Sequence, residues 1–288
     1  MNMLRRARIF SFAMAIGAST GLVALGPAAA PVEGAAAAKA RVERTIKDKA
    51  ITESSGLARS TYSRPLLFTH NDSGDSARVF AVDSAGRTRA VLRLKGASAI
   101  DWEDIAAGPK HSLWVGDIGD NRRARKQIAV YRFTEPKQLP RGGRTVKVAT
   151  KKYTFRYPDR ARDAEALLVH PNTGRLFIVT KSARGSAGIY RAPKKLSTKS
   201  TNKLTRIAAA PDKITAGTFS PDGRTRVLGS YTTAYTYRGL TGRPAVMALP
   251  KRRQGESLEV ARDGTKILLG SEGEKSPVLQ IAMTKPKK

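Results

Sequence analysis

The chain has no cysteine, only three histidines and few aromatic residues (6%), and its 23 acidic residues are outnumbered by 53 basic ones. Without cysteine there is no disulfide framework and no lipoprotein attachment site, so stability must come from an apolar core or from bound ions. No G-x-S-x-G elbow, Walker loop or H-E-x-x-H pair is present, which removes the common hydrolase, nucleotide-binding and metalloprotease signatures. The aromatics are not interleaved with the basic residues, which argues against sequence-specific nucleic-acid recognition. No amphipathic helix of three turns can be found, and beyond the first thirty residues there is no long apolar run.

That first segment reads as an export signal. Arg5, Arg6 and Arg8 form a basic start, Ile9 to Gly26 is apolar and small, and Ala28-Ala29-Ala30 offers a cleavage site, with a second at Ala36-Ala37-Ala38. The competing reading is a membrane anchor of about 18 residues, near the lower limit for spanning a bilayer and weakened by Gly17, Ser19, Thr20 and Gly21. The expected organisation is a signal peptide over 1–30, an Ala-rich linker over 31–40, and one domain over 41–288 ending in the basic tail Lys285-Pro286-Lys287-Lys288. The mature chain is expected outside the cell or on its wall, as a monomer without a membrane span.

What fills the domain is a repeat. Glu53-Ser54-Ser55-Gly56-Leu57-Ala58 is answered by Asp101-Trp102-Glu103-Asp104-Ile105-Ala106 and by Asp163-Ala164-Glu165-Ala166-Leu167-Leu168. Weaker copies start at Thr215 and Gln254, so successive starts lie 48, 62, 52 and 39 residues apart. A supersecondary unit returning at roughly 40–50 residues marks a β-propeller or a similar array. Turn signals such as His170-Pro171-Asn172-Thr173-Gly174 and Ser220-Pro221-Asp222-Gly223 follow the phrases. Strand-like runs come next: Leu66–Phe68, Ser112–Val115, Leu176–Val179, Arg226–Leu228 and Ile267–Leu269. Third strands are expected at Val79–Val82, Ile128–Tyr131, Gly188–Tyr190, Val246–Leu249 and Val278–Ile281, and outer strands at Thr88–Lys95, Thr145–Tyr157 and Lys203–Ala209. The last unit lacks an outer strand, and Arg41–Lys49 is the segment that would complete it and close the ring without open edges. The expectation is an all-β fold, a single β-propeller of five blades, or six if one atypical blade is present.

The acids are concentrated in the repeat. Aligned on Leu57, Ile105, Leu167, Phe219 and Leu258, the position two before the anchor holds Ser55, Glu103, Glu165, Gly217 and Glu256. The position four before holds Glu53, Asp101, Asp163, Thr215 and Gln254. Side chains at i and i+2 of a strand share a face, so innermost strands built on the phrase would place six carboxylates at the mouth of a central channel. The same rim would carry the loops His70-Asn71-Asp72 and Asp117-Ile118-Gly119-Asp120, together with Lys181 and Glu272. Facing carboxylates cannot all stay ionised without compensation. A divalent cation is the simplest compensation, and oxygen-only ligands favour Ca²⁺. The expected metal ligands are Glu53, Asn71, Asp72, Asp101, Glu103, Asp117, Asp120, Asp163, Glu165 and Glu256. His70, beside this rim, is the expected general base, with a metal ligand or a plain loop residue as its other roles. Lys181 would suit a phosphate or carboxylate. His111 and His170 fall in turns on the opposite rim.

The runs around Glu53, His70, Asp101, Gly116-Asp117-Ile118-Gly119-Asp120-Asn121 and Asp163 resemble secreted bacterial β-propeller proteins, WD40-like or related to the "esterase-like activity of phytase" group. They are more distantly similar to the calcium-bearing lactonase and phytase propellers. The resemblance spans roughly residues 50 to 275 and implies the fold more than any one reaction. Thr215 and Gly217 depart from the acidic pattern, so the rim there would be less charged.

Two functional readings follow. One is a metal-dependent hydrolase of a phosphoester or lactone, with His70 or a carboxylate as base. The other is a non-catalytic extracellular module that holds anionic wall polymer through its basic surface. The net charge of +30, or +27 once the three arginines of residues 1–30 are removed, favours polyanionic or phosphorylated partners in either case.

Overall fold

Twenty-one strands and no helix make up residues 39–240 and 242–286, the part of the chain that the computed structural model describes. The expected signal peptide and most of the expected Ala-rich linker lie outside the described residues, and no described helix is long and apolar enough to cross a membrane.

After β1 (Arg41–Thr45) the chain builds one four-stranded module at a time. Module one holds β2 (Ala58–Arg59), β3 (Leu67–Thr69), β4 (Arg78–Val82) and β5 (Thr88–Lys95). Module two holds β6 (Trp102–Gly108), β7 (Ser112–Asp117), β8 (Ile128–Thr134) and β9 (Arg144–Arg156). Module three has β10 (Ala164–Val169), β11 (Leu176–Thr180) and β12 (Gly188–Arg191); after the two-residue β13 (Asn202–Lys203) it is completed by β14 (Thr205–Ala209). Module four has β15 (Ile214–Phe219), β16 (Thr225–Ser230), β17 (Thr233–Arg238) and β18 (Ala245–Ala248). Module five has β19 (Ser257–Val260), β20 (Lys266–Gly270) and β21 (Pro277–Ala282), and β1 pairs antiparallel with β21 as its fourth strand. The first and last strands of the domain thus share a module, so that β21 is paired on both of its edges.

The core is divided into layers between modules. Phe68, Leu92, Trp102 and Val115 fill the layer between modules one and two, and Trp114, Phe155, Leu167 and Tyr190 the next. Phe177 and Leu228 join modules three and four, and Val227 and Leu269 join four and five. A fifth layer, with Ile46, Leu57 and Phe80 against Leu268 and Val278, brings module five back to module one. Every inner strand is therefore covered on both faces, which is why the strands read as nearly continuous apolar runs rather than as clean alternation. Burying each of these large side chains contributes about 1.5–3 kcal/mol. The result is a β-propeller.

Two details differ from expectation. The segment around Val246–Leu249 is the outer strand of module four, not its third. The third is β17, where Thr233, Tyr235 and Tyr237 alternate with Ala234 and Thr236. The first phrase is mostly irregular: an isolated bridge joins Ser54 to Asn71, and β2 covers only two residues. β9 also exceeds its module. Its first half pairs parallel with β5, its second half antiparallel with β8, and its last residues parallel with β13.

Candidate metal centre

The geometry of the centre starts from an irregularity that repeats. β6, β10 and β15 each slip in register against their second strand, between Trp102 and Asp104, Ala164 and Ala166, and Ile214 and Ala216. The residues left out of the ladder are Glu103, Glu165 and Thr215. A bulge of this kind re-aims the extra side chain and ends regular pairing. In modules two and three it turns a glutamate to the same place as the aspartate two residues earlier.

Two groups of carboxylates result. One oxygen each of Asp72, Asp101 and Glu103 lie within 4.8 Å of one another, and so do one oxygen each of Glu103, Asp163 and Glu165. Glu103 belongs to both groups. The residue is 3% exposed, and among the described residues no side chain forms a hydrogen bond or ion pair with its carboxylate, whose leading neighbours are other acids. Burial first, then Glu165, Asp72, Asp101 and Asp163, hold its pKa well above the usual range. Asp72 is pushed up to about 7 by burial and then by Asp101, Glu165, Glu256 and Glu53, and its Oδ1 is buried without a partner. Glu165 is also raised to about 7, burial outweighing the opposing charge of Lys181. Glu272, from the loop after β20, rises to about 9 through burial and its closeness to Glu256.

The remaining expected ligands act as supports. Asp117 accepts the Arg125 guanidinium at 2.7 Å and the Asp101 N–H at 3.2 Å. Asp120 accepts the N–H groups of Ala124 and Arg125, and its own N–H donates to Asp163 Oδ1 at 2.9 Å. Asn71 spends its amide on Thr52 N–H, Glu53 N–H, the Ala50 carbonyl and Asp75. These three shape the loops that carry Asp72, Asp101 and Asp163. Glu53 and Glu256 stand near enough to Asp72 to raise its pKa but outside both close groups.

His70 is not at the rim. It is completely buried, edge-on to Trp102 with ring centroids 5.6 Å apart, and its Nδ1 lies 2.9 Å from the Asn71 carbonyl. Burial lowers its pKa to about 4, so it is neutral at pH 7. A ring with no exposed surface cannot meet a substrate, which corrects the expectation that it is the base: His70 follows directly on β3, and its ring turns against Trp102 in the layer between modules one and two. His111 is exposed and stacked on Tyr62, and His170 sits half-buried in its turn.

Lys181 is committed to the site itself. Its ammonium lies 2.7 Å from Glu165 Oε1 and 3.2 Å from the Tyr231 hydroxyl, which donates to Glu256 at 2.9 Å. Burial alone would lower the Lys181 pKa; Glu165 and Tyr231 outweigh it and keep the ammonium charged. Tyr231, in the β16–β17 turn, carried no signal in the sequence. Gly119 was visible only as part of a loop. A Cβ there would overlap Glu103 Oε1 and Asp101 Oδ2, so a larger residue would push one of the two carboxylates from its present place. In module four the bulged residue is Thr215, so a hydroxyl, donating to the Gly255 carbonyl at 3.1 Å, stands where modules two and three carry a glutamate, while Gly217 lies two residues deeper against Leu168 and Leu228.

No family model matches the chain, and no curated protein is similar to it. Among solved structures it is similar to the PQQ-bound form of an aldose sugar dehydrogenase from Streptomyces coelicolor, with 13% identity and a TM-score of 0.46 over 85% of this chain and 98% of that one.

Proposed function

We propose that the chain is a β-propeller built around a divalent cation at the channel mouth and that it acts as a metal-dependent hydrolase of a phosphoester or lactone. The observation that carries the reading is Glu103: a carboxylate 3% exposed, without hydrogen-bond or ion-pair partner among the described residues, shared by two groups of acids. Leaving such a charge uncompensated is costly, and a hard cation with oxygen ligands matches the donor set. Asp72, Asp101, Glu103, Asp163 and Glu165 would hold it, and Ca²⁺ suits their irregular placing better than Mg²⁺. Once bound, the ion supplies Lewis-acid polarisation of an ester or phosphoryl oxygen. The chain's own groups do the rest. Lys181 and Tyr231 fix Glu165 and Glu256 in place, and the Asp117–Arg125 pair fixes the loop behind Asp101. With His70 walled in, the rim carboxylates remain as bases.

The test has two stages. Elemental analysis of the purified chain should find a divalent metal, and chelation should lower its melting temperature. A ligand at 100 times its Kd adds about 2.7 kcal/mol, several degrees at roughly 2–4 °C per kcal/mol for this size. Ca²⁺ should restore the lost degrees more fully than Mg²⁺, and Glu103→Gln with Glu165→Gln should abolish the response. A phosphoester and lactone panel then decides turnover. Cation binding without turnover of any panel member leaves the binding module, which the basic outer surface favours; no metal and no chelator effect removes both the centre and the hydrolase.

A further inference from the structure

Three registers along β9 set one basic side chain against another. Pairing with β5 puts Lys147 beside Arg93, pairing with β8 puts Lys151 opposite Arg132, and pairing with β13 puts Arg156 beside Lys203. Like charges facing each other across a sheet destabilise it. Among the described residues none of these six has a carboxylate within ion-pair distance. Arg132 covers part of its charge on the Trp114 ring, 5.3 Å away, and the other five are exposed. Lys147 and Lys151 are four residues apart, hence on one face and about 13 Å from each other along the strand. An open groove of about 460 Å³ lies at the Lys147 end, lined by Arg93, Lys95, Gly96 and Lys147. The aromatic residues of β9, Tyr153 and Phe155, are buried and offer no stacking platform.

We propose that β9, with its neighbours on β5 and β8, is a docking track for a linear phosphate polymer that carries no bases. Charge complementarity selects the partner: repeated phosphates would settle between the facing cations and relieve the repulsion at each register. Single-stranded nucleic acid is disfavoured because its binding draws on aromatic stacking that this face lacks.

The test uses the full chain and long-chain inorganic polyphosphate, with affinity read by fluorescence anisotropy across a salt series. The variant R93Q/R132Q/K147Q/K151Q is compared with K47Q/K49Q/R243Q/K251Q, which removes the same charge from exposed positions elsewhere. Loss of four phosphate contacts at about 0.7 each should flatten the slope of log affinity on log salt by about 3, and weaken binding by at least about tenfold at ~0.1 M salt. The charge-matched variant should stay within about threefold. Equal losses in the two variants would show an effect of net charge alone and overturn the track. So would tighter binding of oligothymidylate than of polyphosphate at equal phosphate. Melting curves check folding, and if the quadruple variant is unfolded, K147Q/K151Q against K49Q/K251Q makes the same comparison.

Discussion

Glu103 and Asp104 are adjacent on β6 and both are buried, yet their surroundings are opposite. Asp104 is satisfied by the protein: Oδ1 accepts the Ile105 N–H at 2.8 Å, and Oδ2 accepts the Leu167 N–H of the next module at 2.9 Å. Glu259 does the same at the seam between modules five and one. It accepts Val260 N–H at 2.8 Å, the Thr218 hydroxyl at 3.0 Å, Arg59 N–H at 3.1 Å and the Arg59 guanidinium. These deeper acids tie neighbouring inner strands together. Glu103, one residue nearer the mouth, has no such partners because the bulge takes it out of the ladder and turns it toward four other carboxylates. The same chemical group is thus a staple at one depth and an unmet ligand at the next.

The sharpest way to break this contrast is to remove each acid in chelated protein. Asp104→Ala strands two buried backbone donors from two modules, and each unsatisfied donor costs about 1–3 kcal/mol. Urea unfolding should show a loss of about 2–4 kcal/mol. Glu103→Gln removes an uncompensated charge and should leave stability unchanged or higher. If both variants lose stability equally, Glu103 is a structural acid like its neighbour.

Gly119→Ala tests the mouth alone. The added methyl must displace Glu103 or Asp101, while the strands stay as they are. Disturbing the groups that orient metal ligands typically lowers affinity by about 10–100-fold. Calorimetric titration with Ca²⁺ should fall in that range with a metal-free melting temperature close to the parent's. An unchanged affinity would place the cation elsewhere.

The dependence on pH should separate the two depths further. Asp72 and Glu165 have folded pKa values near 7, above the ordinary carboxylate range of the unfolded chain. Between those limits the folded state binds more protons, so stability is greatest at the low end and declines as pH rises toward 7. Glu272, near 9, extends the decline. Chelated protein should therefore melt at a higher temperature at pH 5 than at pH 8, and saturating Ca²⁺ should reduce or reverse the difference. A chelated protein that is more stable at pH 8 would mean that the mouth carboxylates are compensated from within.

Much of this was legible in the sequence, and the parts that were not have physical reasons. The phrase and its turns pointed to repeated modules because each module must bury both faces against its neighbours, which forces similar inner strands. Closure by Arg41–Thr45 was legible from the missing outer strand of the last unit. Glu103, Asp101, Asp163 and Glu165 were placed together by a strict period of two, although the structure achieves it through bulges that leave no mark in residue type. His70 was misplaced because the alternation showed a strand end but not whether the ring turns outward or into the Trp102 layer. The supporting roles of Asp117, Asp120 and Asn71 depend on backbone N–H groups of loops, which composition does not display. Tyr231 comes from a turn in another module, a relation that only the ring creates.

The smallest effect concerns Lys181, where the expectation of an anion-holding lysine gave way to an internal pair. Its ammonium occupies Glu165 Oε1 at 2.7 Å and therefore competes with a cation for the same oxygen. Glu165 is buried and only the lysine reaches solvent, so the competition amounts to about 1 kcal/mol, the upper end for exposed pairs, which corresponds to about fivefold in affinity. Lys181→Met should raise Ca²⁺ affinity by about that factor, because Glu165 is released and one repelling charge is removed. Tyr231 keeps its bond to Glu256, so the far side of the rim is undisturbed. Titrating the single variant and the double variant with Glu165→Gln closes a cycle: the gain should vanish when Glu165 is already neutral. A gain that persists in the double variant would mean that Lys181 acts on the mouth as a general positive charge and that Glu165 is no ligand. A loss of affinity would mean that Lys181 positions Glu165 for the cation more than it competes for its oxygen, and the pair would then count among the supports of the Glu103, Asp163 and Glu165 group.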